Sequence, residues 1–125
     1  MTDSTTSAAL LRELLSAQPL PGRRVLLYGG ADYELAIWLA QAGAELAILD
    51  SSRNVVLASL KHTHDAGVGR RVRAVESSTT ALPMFADLAF DVIVLQPAIP
   101  FDLAEIARIL RPGAQLVSRV PLDAS

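Results

Sequence analysis

The sequence predicts a doubly wound α/β fold built on a five-stranded, mostly parallel sheet, and three observations carry that prediction. Strand-length apolar runs alternate along the chain with helix-period runs, most of the strand-length runs show no polar alternation, and glycine or proline punctuates nearly every junction. Alternating strands and helices argue for a parallel sheet with helices on its faces. Strands apolar on both sides are those of a sheet covered on both faces.

Residues 1–7 are polar and expected to be disordered, with Ser7 as the candidate N-cap of a helix over 8–17. Leu10, Leu11, Leu14 and Leu15 form one stripe on that helix, which must therefore pack on something. Pro19, Pro21 and Gly22 break it ahead of the first strand, 25–29. Asp32 can cap a second helix, 33–42, which is apolar nearly all round, and Gly43 stops it. The second strand, 46–49, closes on Asp50, so strand, helix and strand follow one another within residues 25–50, the length of a right-handed parallel crossover. Ser51 or Ser52 caps a third helix reaching about Ala66, with Val55, Val56, Leu57 and Leu60 as its apolar positions.

Arg71, Val72, Arg73, Ala74 and Val75 alternate in the manner of an edge strand with one solvated side. A hydroxyl-rich loop over 76–80 and a short irregular or helical connection over 81–89, broken by Pro83, lead to a fourth strand at 90–95. The last helix, 101–110, turns Leu103, Ile106, Ala107 and Leu110 inward and stops at Pro112-Gly113. A fifth strand over 115–120 ends at Pro121.

With 125 residues, the chain is expected to form a single domain with a real core. No stretch approaches the roughly 18 uninterrupted apolar residues of a membrane span, and the first residues lack the basic lead of a secretory signal, so a soluble, cytoplasmic protein with no membrane partner is expected. The absence of cysteine rules out disulfides, thiolate zinc sites and thiol nucleophiles. A net charge of −2 supplies no basic field, which disfavours nucleic acid as a partner.

Taken together, the stretch VLLYGGADYELAIWLAQAGAELAILD, then VRAVE, FDVIV and EIARILRPGAQLV, resembles the class I S-adenosylmethionine-dependent methyltransferases of the small-molecule type. EIARILRPGAQLV, residues 105–117, is the most specific piece, because that family carries a helix ending in Leu-Arg/Lys-Pro-Gly-Gly before a strand at this place. The resemblance implies a Rossmann-like sheet in order 3-2-1-4-5, with the cofactor lying across the carboxyl ends of strands one, two and four. It implies cofactor contacts from Gly29, Gly30, Ala31, Asp50, Ser51, Ser78 and Gln96. Gly29 matches the first glycine of the family turn and Asp50 the acid that accepts hydrogen bonds from the ribose hydroxyls. Leu27 stands where the turn's acid belongs, Ala31 and Tyr33 where its second and third glycines belong, and Ser78 where many members have the adenine-reading aspartate.

Hydrogen bonds to charged partners contribute roughly 1.5–3 kcal/mol each, so the loss of two such anchors weakens cofactor binding roughly a hundredfold to ten-thousandfold. The expectation is a methyltransferase-like domain, catalytically degenerate, with S-adenosylmethionine binding weak or lost. Family members generally continue with two more strands, whereas this sequence stops after the fifth. The apolar edge formed by Leu116, Val117 and Val120 is therefore expected to pair with a protein partner, either in a homodimer or with a complete methyltransferase subunit. The alternative is a functional S-adenosylmethionine-dependent methyltransferase acting on a small molecule, with Asp50 anchoring the cofactor.

Each singled-out residue has a plainer role to set beside the functional one. Asp50 is either a ribose ligand or an acid capping the third helix, and the sequence leaves both open. His62 and His64 lie two apart on a helix, on different faces, so no metal site is expected. The segment Gln96-Pro97-Ala98-Ile99 is similar to the Asn/Asp-Pro-Pro-aromatic motif of amino-methyltransferases but lacks its second proline and aromatic, and reads as a strand-to-helix turn. Arg70, Arg71 and Arg73 could hold a phosphate or a partner's acids, or be a solvated cluster. Tyr33 and Trp38 read as core or interface residues. Glu76 is the only acid on the loop after strand three, so no catalytic residue is assigned.

Overall fold

A computed structural model describes residues 8–30, 32–96 and 99–119. Ser7, Ala31, Pro97, Ala98, Val120 and Pro121, the side chain of Leu10, and the disorder expected of residues 1–7 all lie outside the described residues. The elements run α1 (Ala8–Leu15), β1 (Arg24–Tyr28), α2 (Tyr33–Gln41), β2 (Glu45–Asp50), α3 (Arg53–Asp65), a 3-10 turn (Gly69–Arg71), β3 (Val72–Glu76), β4 (Phe90–Leu95), α4 (Leu103–Ile109) and β5 (Leu110–Ser118). All strand pairs are parallel and the sheet order is β3-β2-β1-β4-β5, as the sequence predicts.

The unalternating strands are explained by two apolar layers. Val25 and Leu27 of β1 pack with Leu46 and Ile48 of β2 against Leu11 and Leu15 of α1 and Leu35 and Leu39 of α2. Leu26 and Tyr28 face the other way, packing with Ile93 and Leu95 of β4 against Leu82, Phe85, and Ile106 and Ile109 of α4. Burying one such side chain contributes roughly 1.5–3 kcal/mol, so β1, covered on both faces and paired on both edges, is the best-held element of the sheet. Val72 buried beside an exposed Arg73 matches the half-solvated edge expected of β3.

Several inward faces differ from the expected ones. In α3, Val56 is buried but Leu57 and Leu60 are exposed, while Ser59 and Thr63 take the core positions. Their hydroxyls are satisfied within the helix, Ser59 Oγ donating to the Val55 carbonyl at 2.8 Å and Thr63 Oγ1 to the Ser59 carbonyl at 2.8 Å, which lets polar residues sit there without loss. Leu14 of α1 is exposed, and in α4 the buried pair is Ile106 and Ile109, with Leu103 and Ala107 outside. β5 begins at Leu110 instead of Gln115: it pairs with Phe90, shifts register around Pro112 and Gly113 (φ 78°), and resumes at Gln115 opposite Val92. The faces of β5 are also less open than expected, since Val117 is buried in the α1 layer and Leu116 is partly buried in the α4 layer.

The connection from β3 to β4 has no helix, and side chains of α4 hold it instead. The Arg108 guanidinium donates to the carbonyls of Leu82 (2.7 Å) and Phe85 (3.0 Å) and to Asp87 (2.8 Å), while Glu105 accepts from Leu82 N (2.7 Å) and from Arg108 Nε (2.9 Å). The Arg108 side chain, followed by the Leu82 amide, holds the Glu105 carboxyl below its ordinary value of 4.5. A carboxyl lowered in the folded state stabilises above its unfolded pKa and loses that contribution as pH falls through the folded one. Glu105→Gln should therefore lower the urea midpoint at neutral pH, and the gap from wild type should close as pH drops below 4.5. A gap unchanged down to the acid transition would show that Glu105 does not act through its charge.

Candidate functional site

In a parallel sheet the carboxyl ends of all strands share one edge, and ligands settle where the strand order reverses. Here that place lies between β1 and β4. One backbone hydrogen bond past each strand end laces the edge together: Gly29 N donates to the Leu49 carbonyl (2.7 Å), Gln96 N to the Tyr28 carbonyl (3.0 Å) and Arg119 N to the Leu95 carbonyl (2.9 Å).

The turn after β1 is set by packing as much as by conformation. Gly29 has φ 111°, which side chains rarely adopt, and a Cβ there would lie 2.8 Å from Gln96 Cβ and 3.1 Å from Ile99 Cγ1. A Cβ on Gly30 would lie 2.6 Å from Ile48 Cγ2. Both glycines are thus pressed against the chain's own side chains. Just before them Tyr28 is buried, its hydroxyl donating to the Pro100 carbonyl at 2.9 Å, and burial followed by the charge of Asp102 raises its phenol above the ordinary value. Leu27, at the place of the family's turn acid, is fully buried in the α1 and α2 layer.

Asp50 joins the turn to β2. Its Oδ2 accepts from Gly30 N at 2.8 Å and its Oδ1 from Ser52 N at 2.9 Å, at 6% residue exposure. It does not cap α3, because Ser52 does so by accepting from Val55 N (3.3 Å). The Gly30 carbonyl lies 2.9 Å from Ser59 Oγ, whose single proton is shared between it and the Val55 carbonyl, so the buried Ser59 also ties α3 to the turn. Tyr33 turns toward α3, its ring stacked on His62 at 4.4 Å between centroids, which makes it an interhelical contact.

A polar group that sequence reasoning missed closes the arrangement. Arg119, just past β5, donates through Nη1 to Asp32 Oδ2 (3.1 Å) and to Gln96 Oε1 (2.8 Å), with 19% of its side chain exposed. Asp32 still caps α2, its Oδ1 accepting from Leu35 N at 3.0 Å, so one carboxylate serves both partners. Gln96 Nε2 and Arg119 Nε are buried without a partner. The available signal was a lone basic residue at the carboxyl end of an apolar strand, but only the sheet order brings it to Asp32, 87 positions away in sequence.

The structure therefore brings Gly29, Gly30, Asp50 and Gln96 together and adds Asp32 and Arg119. Ser51 and Ser78 are exposed, and Ser78 follows Ser77, whose amide donates to the Asp50 carbonyl (3.0 Å). Among the described residues no cluster of histidine, aspartate and glutamate could hold a metal ion, and no helix is long and apolar enough to cross a membrane.

A five-stranded parallel sheet in order 3-2-1-4-5, with its polar groups gathered at the β1/β4 reversal, defines a Rossmann-like α/β domain. The chain belongs to the methyltransferase domain family, whose model matches residues 28–118. It is 31% identical over 107 residues to the ubiquinone/menaquinone biosynthesis C-methyltransferase UbiE of Dinoroseobacter shibae, covering 79% of this chain and 42% of that protein. Its fold is similar to that of an S-adenosylmethionine-dependent methyltransferase of Geobacter sulfurreducens in complex with S-adenosyl-L-homocysteine (TM-score 0.73, 22% identity, 94% of this chain and 49% of that one). The corresponding complex from Thiobacillus denitrificans matches with TM-score 0.73 and 18% identity over 94% of this chain and 50% of that one. The chain thus spans about half the length of these relatives or less.

Replacing Asp50 by alanine would leave the buried Gly30 amide and the partly buried Ser52 amide without that acceptor. Asp50→Ala should destabilise the fold by about 2–4 kcal/mol and Asp50→Asn, which keeps one acceptor oxygen, by about half as much, measured by urea unfolding. Loss of less than about 0.5 kcal/mol in the alanine variant would show that the carboxylate does not hold the turn.

Proposed function

We propose that this chain is a methyltransferase-family domain that carries out no methyl transfer itself and acts as an accessory or regulatory subunit beside a protein partner. The observation that carries the reading is the engagement of Asp50: both carboxylate oxygens accept backbone amides of the chain, at 6% exposure. In this state each carboxylate oxygen already accepts one amide, which leaves the group little exposed surface for the hydroxyls of a ribose.

The neighbouring residues support the same reading. The position of the family's turn acid holds Leu27, with no polar atom and no exposure. The space beside Gly29 that would admit a ligand is taken by Gln96 and Ile99, and the Asp32–Arg119–Gln96 group spans from the start of α2 to the ends of β4 and β5. Together these features leave S-adenosylmethionine fewer anchors than the family's turn supplies, which supports weak or lost cofactor binding. For the partner, the support is β5, which pairs only with β4 among the described residues and leaves a line of backbone donors and acceptors along its outer side. The partner is a second copy of the chain or a complete methyltransferase subunit, joined along that edge.

Calorimetric titration with S-adenosylmethionine and with S-adenosyl-L-homocysteine tests the reading directly. Dissociation constants weaker than about 100 µM are expected from the missing anchors. Low-micromolar binding by the unaltered chain would contradict the proposal and favour a functional methyltransferase anchored on Asp50. Sedimentation of the same sample should show a concentration-dependent dimer unless the complete subunit is the partner, in which case the two chains should co-sediment.

A further inference from the structure

The opposite end of the sheet holds a second concave site. A cavity of about 580 Å³ opens at the amino-terminal ends of the strands, and Arg24 at the start of β1, Arg73 in β3, and Arg70 and Arg71 in the turn before β3 all line it. Among the described residues Glu45 is the one acid in its wall, and it is engaged by Arg71 at 3.4 Å. Asp91, whose Oδ2 accepts the Arg24 backbone amide, has its other oxygen on Arg111 and does not neutralise the Arg24 guanidinium.

The arginines here differ from those elsewhere in the chain. Among the described residues only Arg24, Arg53, Arg70 and Arg73 have guanidinium groups with no hydrogen-bond, ion-pair or aromatic partner, and three of those four line this cavity. The overall charge of −2 makes this concentration of free cations a local feature and gives no general attraction for polyanions. Unneutralised cations around one concavity repel one another across distances comparable to the Debye length, and an anion placed between them relieves that repulsion. Guanidinium forks suit phosphate oxygens, which accept two parallel N–H bonds from each.

The remaining wall is apolar. Phe85 and Phe90, packed edge to face at 5.0 Å between centroids, border the cavity beside Met84. The volume falls within the range of small-molecule pockets, and concavity with an aromatic side suits a compact ligand better than an extended nucleic-acid backbone.

We infer that this cavity binds a small phosphorylated molecule with an apolar body, its phosphate held by Arg24, Arg70 and Arg73 and its body against Met84, Ala86 and Ala89, in front of the buried Phe85 and Phe90. The site lies at the amino-terminal ends of the strands and does not depend on the state of the β1/β4 crevice.

Phenyl phosphate and inorganic phosphate, titrated calorimetrically into the full chain at constant ionic strength, test it. Phenyl phosphate should bind roughly tenfold tighter than inorganic phosphate, from burial of its ring. Arg70→Ala/Arg73→Ala should weaken phenyl phosphate at least about tenfold per arginine removed, with the far-UV circular dichroism of the wild type retained. Arg53→Ala, which removes the free arginine outside the cavity, should leave binding unchanged. No binding by the wild type, equal affinity for the two phosphates, or equal loss in Arg53→Ala and the double variant would each overturn the inference.

Discussion

The Asp50 carboxylate is the contact on which the functional edge of this molecule depends. It sits where β2 ends, accepts the amide of Gly30 across from β1 and the amide of Ser52 at the start of α3, and so fixes three elements with one side chain. A buried carboxylate is costly unless it is hydrogen-bonded, and here each oxygen accepts one backbone amide. The consequence runs outward. Gly30 is held close against Ile48 and Ser59, Gly29 is pressed on Gln96 and Ile99, and the turn has no freedom to open without breaking that bridge.

This constraint gives the glycines a structural reason independent of any ligand. In a nucleotide-binding turn, glycine lets the ligand approach the backbone. In this chain the approaching groups are Gln96, Ile99, Ile48 and Ser59. The Arg119 guanidinium draws Asp32 and Gln96 to one point at the sheet reversal, while Gln96 Nε2 and Arg119 Nε stay buried without a partner. The same scaffold at its other end leaves three guanidinium groups unmatched. The two ends of the sheet thus differ in kind, one with its arginine paired to Asp32 and the other with three guanidinium groups unpaired.

Much of the fold was legible because burial on both faces leaves a one-dimensional trace. The uninterrupted runs at Val25–Tyr28 and Val92–Leu95, bounded by turn residues, read as covered strands, and Asp32 and the Ser51-Ser52 pair marked helix starts that the structure keeps at Asp32 and Ser52. Hydrophobicity misled where a polar side chain can satisfy itself. Ser59 and Thr63 bond their own helix and go inward, leaving Leu57 and Leu60 outside. The site was legible as a set of positions and not as a set of contacts. Gly29, Asp50 and Gln96 were identified, whereas Arg119 and the Arg108 network depend on residues distant in sequence that only the sheet order and α4 packing bring together.

The commitment of Gly30 N to Asp50 holds the turn after β1 closed, and the amide resonances of Gly29 and Gly30 report on that bond most directly. In a uniformly ¹⁵N-labelled sample the Gly30 amide should be protected from solvent exchange, and both glycine resonances should hold their positions as S-adenosyl-L-homocysteine is added to about 100 µM, the affinity limit set by the missing anchors. Rapid exchange at Gly30, or saturable shifts of both resonances at low-micromolar ligand, would contradict it.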